Sequence, residues 1–175
     1  MKFRWVLLIM FMLFILEGTL AQWLIPLEWS GRIVPRFTFV FVLYAALYAG
    51  RHRALLLGIL FGMLQDVVFY GHLIGVHAFT MGLCGYVTGL LLEHRRAPML
   101  ASLSVIGIVY LLLESLIYLI YRVFRLTADP YDWVLMQTIM PSFFVNLVFA
   151  LAVYIPARRW FERIGSLRGA EEDES

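Results

Sequence analysis

Apolar stretches about as long as a membrane is thick recur along this chain, and nothing else in the sequence limits the fold as severely. A helix rises about 1.5 Å per residue, so about 20 apolar residues cross a hydrocarbon layer of about 30 Å. Six stretches reach or approach that length: 5–25, 34–49, 54–70, 73–92, 98–121 and 133–155. Hydrophobic residues make up 62% of the chain, against roughly 45–50% in soluble domains. A chain of 175 residues cannot hide that much apolar surface in one aqueous core. The sequence therefore predicts an all-α integral membrane protein of about six transmembrane helices. The second and third stretches are short, and only Arg51-His52-Arg53, which do not belong in lipid, separate them. A five-span arrangement with a re-entrant piece near 34–70 is the alternative. Gly71-His72 alone separates the third from the fourth, which predicts a tight turn.

Lysine and arginine set the expected orientation. With the N-terminus in the cytoplasm, the inner side holds Lys2, Arg4, Arg51, Arg53, Arg95, Arg96, Arg158, Arg159, Arg163 and Arg168. The outer side holds Arg32, Arg36, Arg122 and Arg125, so the balance is ten to four and both termini are expected inside. Trp29, Tyr131 and Trp133 fall in the outer loops, where interfacial aromatics sit. The basic start, the apolar run 5–16 and Ala21 also fit a cleaved signal peptide, although Glu17 is unusual there.

Residues 1–157 read as the transmembrane domain and 158–175 as a cytoplasmic segment. In that segment Trp160, Phe161, Ile164 and Leu167 share one helical face that Arg158, Arg159, Glu162 and Arg163 avoid. An interfacial helix and a continuation of the last span both fit this pattern. The acidic tail at 171–174 is expected to be disordered.

Ionisable groups at membrane depth cost about 2.5–3.5 kcal/mol each on insertion scales, so each needs a reason. Glu17, Asp66, His77 and Glu114 all fall in the outer half of their spans, with Asn146 nearer the middle of the last. A hairpin of the third and fourth spans would bring Asp66 and His77 to one depth, within hydrogen-bonding reach. Three roles compete for this set: a polar knot that fixes helix packing, a contact surface for a partner's transmembrane helix, and a substrate or proton pathway. Gly58, Gly62, Gly75, Gly82, Gly85 and Gly89 are expected to serve helix packing, with the glycine faces of the third and fourth spans meeting.

Enzyme signatures are poor. The chain has no Gly-x-Ser-x-Gly, no His-Glu-x-x-His and no phosphate loop, and its one cysteine, Cys84, excludes an intramolecular disulfide. Ser102, Ser104, Ser115 and Ser142 have no evident histidine partner, and His52, His72 and His94 read as interfacial. No catalytic residue, cofactor site or metal site is expected, and a net charge of +2 gives no reason to expect nucleic acid.

One region is familiar. Gly58-Ile-Leu-Phe-Gly62-Met-Leu-Gln-Asp66-Val-Val-Phe, then Leu73-Ile-Gly75-Val-His77-Ala78-Phe79 and Gly85-Tyr86, resembles the rod shape-determining MreD family. Glu114 in Leu111-Leu-Leu-Glu114-Ser115 also fits the family's pattern of an acidic residue there. The resemblance implies a bacterial inner-membrane component of the machinery that elongates the cell wall, without catalysis of its own. It implies association with MreC, a single-span protein, and through it with MreB filaments, RodA and a class B penicillin-binding transpeptidase. The glycine hairpin and buried acids would then shape a groove for the MreC helix, and the inner basic rim could meet anionic lipid. The family is also similar in fold to the substrate-binding subunits of energy-coupling factor transporters. A small-molecule-binding subunit of such a transporter is accordingly the second reading, weakened by the short outer loops. A membrane enzyme acting on lipid is the third.

Overall fold

A computed structural model describes residues 4–23, 33–68, 73–92 and 98–172. Side chains are described from Trp5 to Thr19 in the first of these and as far as Arg159 in the last. The Gly71-His72 turn, Lys2, Trp29, Arg32, His94, Arg95, Arg96 and the side chains after Arg159 lie outside the described residues. Those that are described form helices: α1 (Arg4–Trp23), α2 (Phe37–Tyr48), α3 (Arg51–Val68), α4 (Val76–Leu92), α5 (Met99–Val123), α6 (Tyr131–Val134) and α7 (Met140–Glu172). A π-helical turn, Leu135–Ile139, joins α6 to α7. Among the described residues there is no strand.

The centre of the bundle is α2. It touches α1, α3, α4, α5 and α7, and every residue from Phe37 to Leu47 is buried. A helix apolar on all sides has no face to show to water. At 12 residues it is only about 18 Å long, short of a full crossing. Its core of Phe39, Phe41, Leu43 and Tyr44 is surrounded by Met10 of α1, Leu57 and Phe61 of α3, Met81 of α4, and Ile106, Tyr110 and Leu113 of α5.

Glycine sets the closest approach, between α3 and α4. A Cβ on Gly62 would lie 2.5 Å from the Cα of Ala78, and one on Gly58 would lie 2.8 Å from the Cα of Gly82. A Cβ on Gly89 would meet the Cα of Arg51 at 2.6 Å. All three neighbours are backbone, so a side chain could be added only by moving a helix. A Cβ on Gly82 would meet the Ile59 side chain at 2.8 Å, and one on Gly85 would meet Val42 of α2 at 3.0 Å. Gly75 differs from the packing role expected of it. Nothing lies within 4 Å of its missing Cβ, and its φ of +100° makes it the conformational hinge that leads into α4. Gly50, at φ 102°, does the same between α2 and α3.

The outside of the bundle is apolar. Leu56 and Val67 on α3, Ile108 and Leu119 on α5, and Phe144 and Val148 on α7 are all more than half exposed. A surface of this kind suits hydrocarbon, not water. Met99–Val123 and Tyr131–Arg159 are long and apolar enough to cross a membrane, while the apolar parts of α1, α2 and α4 are shorter. The last helix continues past Pro156 to Glu172. At its start, Pro141 cannot donate to the carbonyl of Gln137, and the helix widens into the π turn just there.

Candidate functional site, a buried polar network

The chain enters α2 through an irregular segment, residues 33–36, shaped by Pro35. Irregular backbone inside an apolar bundle needs partners from the protein itself. Two side chains one helical turn apart on α7 supply them. Ser142 Oγ accepts from the backbone N–H of Val34 at 2.8 Å. Asn146 accepts from the N–H of Arg36 at 2.7 Å and donates to the carbonyl of Val34 at 3.1 Å. The Asn146 amide thus pairs with this segment as a neighbouring strand would.

Arg36 is 7% exposed and stands at the N-terminus of α2. The helix dipole is positive there, so a guanidinium needs strong compensation. Glu114 of α5 provides it in a direct, hydrogen-bonded ion pair. Gln65 of α3 sits 3.4 Å away and passes the network on, donating to Glu17 of α1 at 2.8 Å. Glu17 also takes the N–H of Thr38 at 3.0 Å and its hydroxyl at 2.8 Å. The Glu17 carboxyl of α1 therefore caps a backbone N–H at the start of α2 that has no partner within the helix. One chain of contacts links α1, α2, α3, α5 and α7.

Asp66 caps a second helix. It accepts from the N–H groups of Gly75 at 2.9 Å, His77 at 3.2 Å and Ala78 at 3.2 Å, at the start of α4. The His77 ring adds a fourth contact, Nδ1 to Asp66 Oδ1 at 2.7 Å. Asp66 is 1% exposed and accepts from all three backbone N–H groups. Its side chain also holds the hinge at Gly75, whose N–H it accepts.

The sequence-selected residues thus gather at one end of the bundle. Glu17 and Glu114 are joined through Gln65 and Arg36, Asn146 anchors the backbone of Arg36, and Asp66 with His77 lies alongside. The sequence reading missed Arg36, Gln65, Thr38 and Ser142. Counting charges places Arg36 only on the outer side. No local signal marks it as buried, because its partners Gln65, Glu114 and Asn146 come from α3, α5 and α7. For Gln65 the signal was its adjacency to Asp66: neighbours on a helix point about 100° apart, toward different partners. α3 and α4 fill each other's glycine faces at Gly58 and Gly62, and the acids bond within the bundle. Among the described residues, no three of His, Cys, Asp and Glu stand together to hold a metal ion.

This arrangement of a glycine-locked α3–α4 pair with an aspartate capping the second helix occupies the stretch whose residues look familiar in sequence. The family model described as rod shape-determining protein MreD matches residues 1–163. The chain belongs to the MreD family. No curated protein and no solved structure matches it. MreD membership implies a role in rod shape determination, and together with the apolar helices it makes this a membrane protein. The MreD-like motif around Asp66 has a physical basis here: Gly58 and Gly62 admit α4, and Asp66 then closes its N-terminus.

Proposed function

We propose that this MreD-family protein is a non-enzymatic, multi-pass component of the bacterial cytoplasmic membrane. It serves wall elongation by holding an MreC-like single-span protein, and through it MreB, RodA and a class B penicillin-binding transpeptidase. Both termini face the cytoplasm in this reading. Glu17, Asp66, His77, Glu114 and Asn146 are structural: they hold α2 and α4 in place so that the outer helices present a fixed surface.

The observation that carries the reading is a groove of about 600 Å³ between α5 and α7. Ser104, Gly107, Ile108 and Leu111 form one wall, and Phe143, Leu147, Val148 and Leu151 the other. Lipid tails are as apolar as leucine, so helices associate in a membrane through close packing at small residues. Ser104 is the exposed small residue on the floor of this groove, while Gly107 lies buried, with Phe143 of α7 3.1 Å from where its Cβ would stand. The Ser104 hydroxyl is bonded to the carbonyl of Leu100 at 2.9 Å, which leaves the groove apolar.

Site-specific photocrosslinking in cells tests this. A crosslinker at Ile108 or Val148, which are 67% and 66% exposed, is expected to capture a single-span partner. One at Leu56, equally exposed at 62% but on α3, is expected not to. Capture from Leu56 and none from the groove would move the interface to another face. Mild-detergent purification that recovers no single-span partner would remove the scaffold reading itself.

A further inference from the structure

The two ends of the bundle differ in charge. The ion pairs formed by described residues, Arg36 with Glu114 and His77 with Asp66, lie where α2 and α4 begin. At the opposite end, where α2 finishes and α3 starts, the described charged residues are Arg51, Arg53, Arg158 and Arg159. Among the described residues no carboxylate stands with them. We propose that this end of the protein is a docking surface for anionic lipid headgroups.

Packing brings the arginines of two helices to that end. Tyr154 of α7 lies beside Tyr44 of α2, with ring centroids 6.4 Å apart, and Arg158 donates to the Tyr154 hydroxyl at 3.0 Å. Gly89 of α4 lets the backbone of Arg51 come close, which seats the start of α3 against α4. The first turn of α3 carries no acidic residue, so the positive end of the helix dipole adds to the arginines there. In the sequence, the segments that flank this end hold ten basic residues and, before the tail at 171–174, two acidic ones, Glu93 and Glu162. Matching those two, and the four acids of the tail as well, still leaves cations in excess.

The place of these arginines on their helices selects lipid over an acidic protein segment. On α3, Arg53 continues the exposed apolar stripe of Val67, Met63, Leu60 and Leu56, each three or four residues from the next. On α7, Arg159 is exposed and stands one turn after Ile155, which is also exposed. Each arginine thus sits where an apolar outer face ends. Its methylenes can lie along that face while the guanidinium reaches the headgroup layer. A guanidinium pairs well with phosphate, and a leaflet of net negative charge attracts it further. The assignment does not rest on the α5–α7 groove, because neither Arg53 nor Arg159 lines it.

The test uses the purified full chain without any partner. It is taken from nanodiscs of equal phosphatidylglycerol and phosphatidylethanolamine, and the retained lipids are counted by native mass spectrometry. The parent is expected to retain phosphatidylglycerol in preference, and to lose that preference as salt is raised during preparation. Arg53→Gln and Arg159→Gln are each expected to lower the preference by about fivefold. Arg125→Gln, which removes an exposed arginine at the other end, is expected to leave it unchanged. Circular dichroism checks that the helices remain. Equal retention of the two lipids by the parent overturns the proposal. So does a preference that survives in the folded double variant, or one that Arg125→Gln lowers as much. Binding of a glutamate-rich peptide without any lipid preference would assign the surface to an acidic protein segment instead.

Discussion

The two ends of α2 solve the same problem by different chemistry. A buried helix leaves unpaired N–H groups at its start and unpaired carbonyls at its finish. At the start the answer is polar side chains around one ion pair: Glu17 on Thr38, Glu114 on Arg36 and Asn146 on the segment before them. At the finish the answer is neutral. The carbonyl of Ala45 accepts from both Ala49 at 2.8 Å and Gly50 at 3.1 Å, as the chain turns through the positive φ of Gly50. Tyrosines fill the space around this end: Tyr44 donates to the carbonyl of Ala150 at 2.6 Å, and Tyr48 lies 3.4 Å from Ser102. The difference follows from the connections. A chain that doubles straight back into α3 can close its own carbonyls, whereas the segment before α2 lies irregularly inside the bundle and must borrow partners from three other helices.

If that contrast is right, the charged end is brittle and the tyrosine end tolerant. The largest effect is expected from Glu114→Ala, which strands a buried guanidinium at the positive end of a helix. Breaking one side of a buried pair costs about 3–5 kcal/mol. The loss should appear as a large fall in folded protein or in unfolding temperature. The double variant Arg36→Met with Glu114→Leu should recover most of it, because an apolar pair of similar size removes the charge altogether. Recovered folding with lost rod shape would mean that the pair has a role beyond packing. Failure to recover would mean that Gln65 and Glu17 depend on Arg36 more than the single contact at 3.4 Å suggests.

Asn146→Leu comes next. It orphans the N–H of Arg36 and the carbonyl of Val34 together. Each unpaired buried group costs about 1–3 kcal/mol, and with the segment still tethered both should fall at the low end, so the variant should unfold earlier than the parent but later than Glu114→Ala. Ser142 would still hold Val34 from its other side. An effect as large as that of Glu114→Ala would show that the backbone tether, not the ion pair, is what locates α2.

Much of this architecture was legible in the sequence. Apolar length located the first five helices to within a few residues, but the last stretch is divided by the π turn and α7 runs on to Glu172, well past the apolar run. The glycine spacing in α3 and α4 indicated their contact, because only a missing Cβ lets two backbones come so near. Asp66 and His77 were placed together by hairpin symmetry alone. The burial of Arg36 was not legible by counting charges, since an arginine beside an apolar stretch looks the same whether it lies outside or inside. Its position is set by Glu114, 78 residues later, and by Asn146, 110 residues later. The groove between α5 and α7 was equally hidden: it is a space between surfaces, and no residue in it is unusual for a membrane helix.

The smallest effect separates the two ends most cleanly. Tyr44 is fully buried, among the largest core side chains, and its hydroxyl makes the shortest bond at the neutral end. Size and burial alone would rank it above Asn146. Yet Tyr44→Phe removes one oxygen and keeps the ring, so the packing against Tyr48 and Tyr154 remains. The acceptor it leaves, the Ala150 carbonyl, lies within α7, where the helix supplies its own donor. The net worth of such a neutral hydrogen bond is about 1 kcal/mol. Thermal unfolding of Tyr44→Phe should therefore stay close to the parent and well above Asn146→Leu. If the two variants proved equally unstable, burial rather than charge and backbone pairing would govern this bundle, and the contrast between the ends of α2 would vanish.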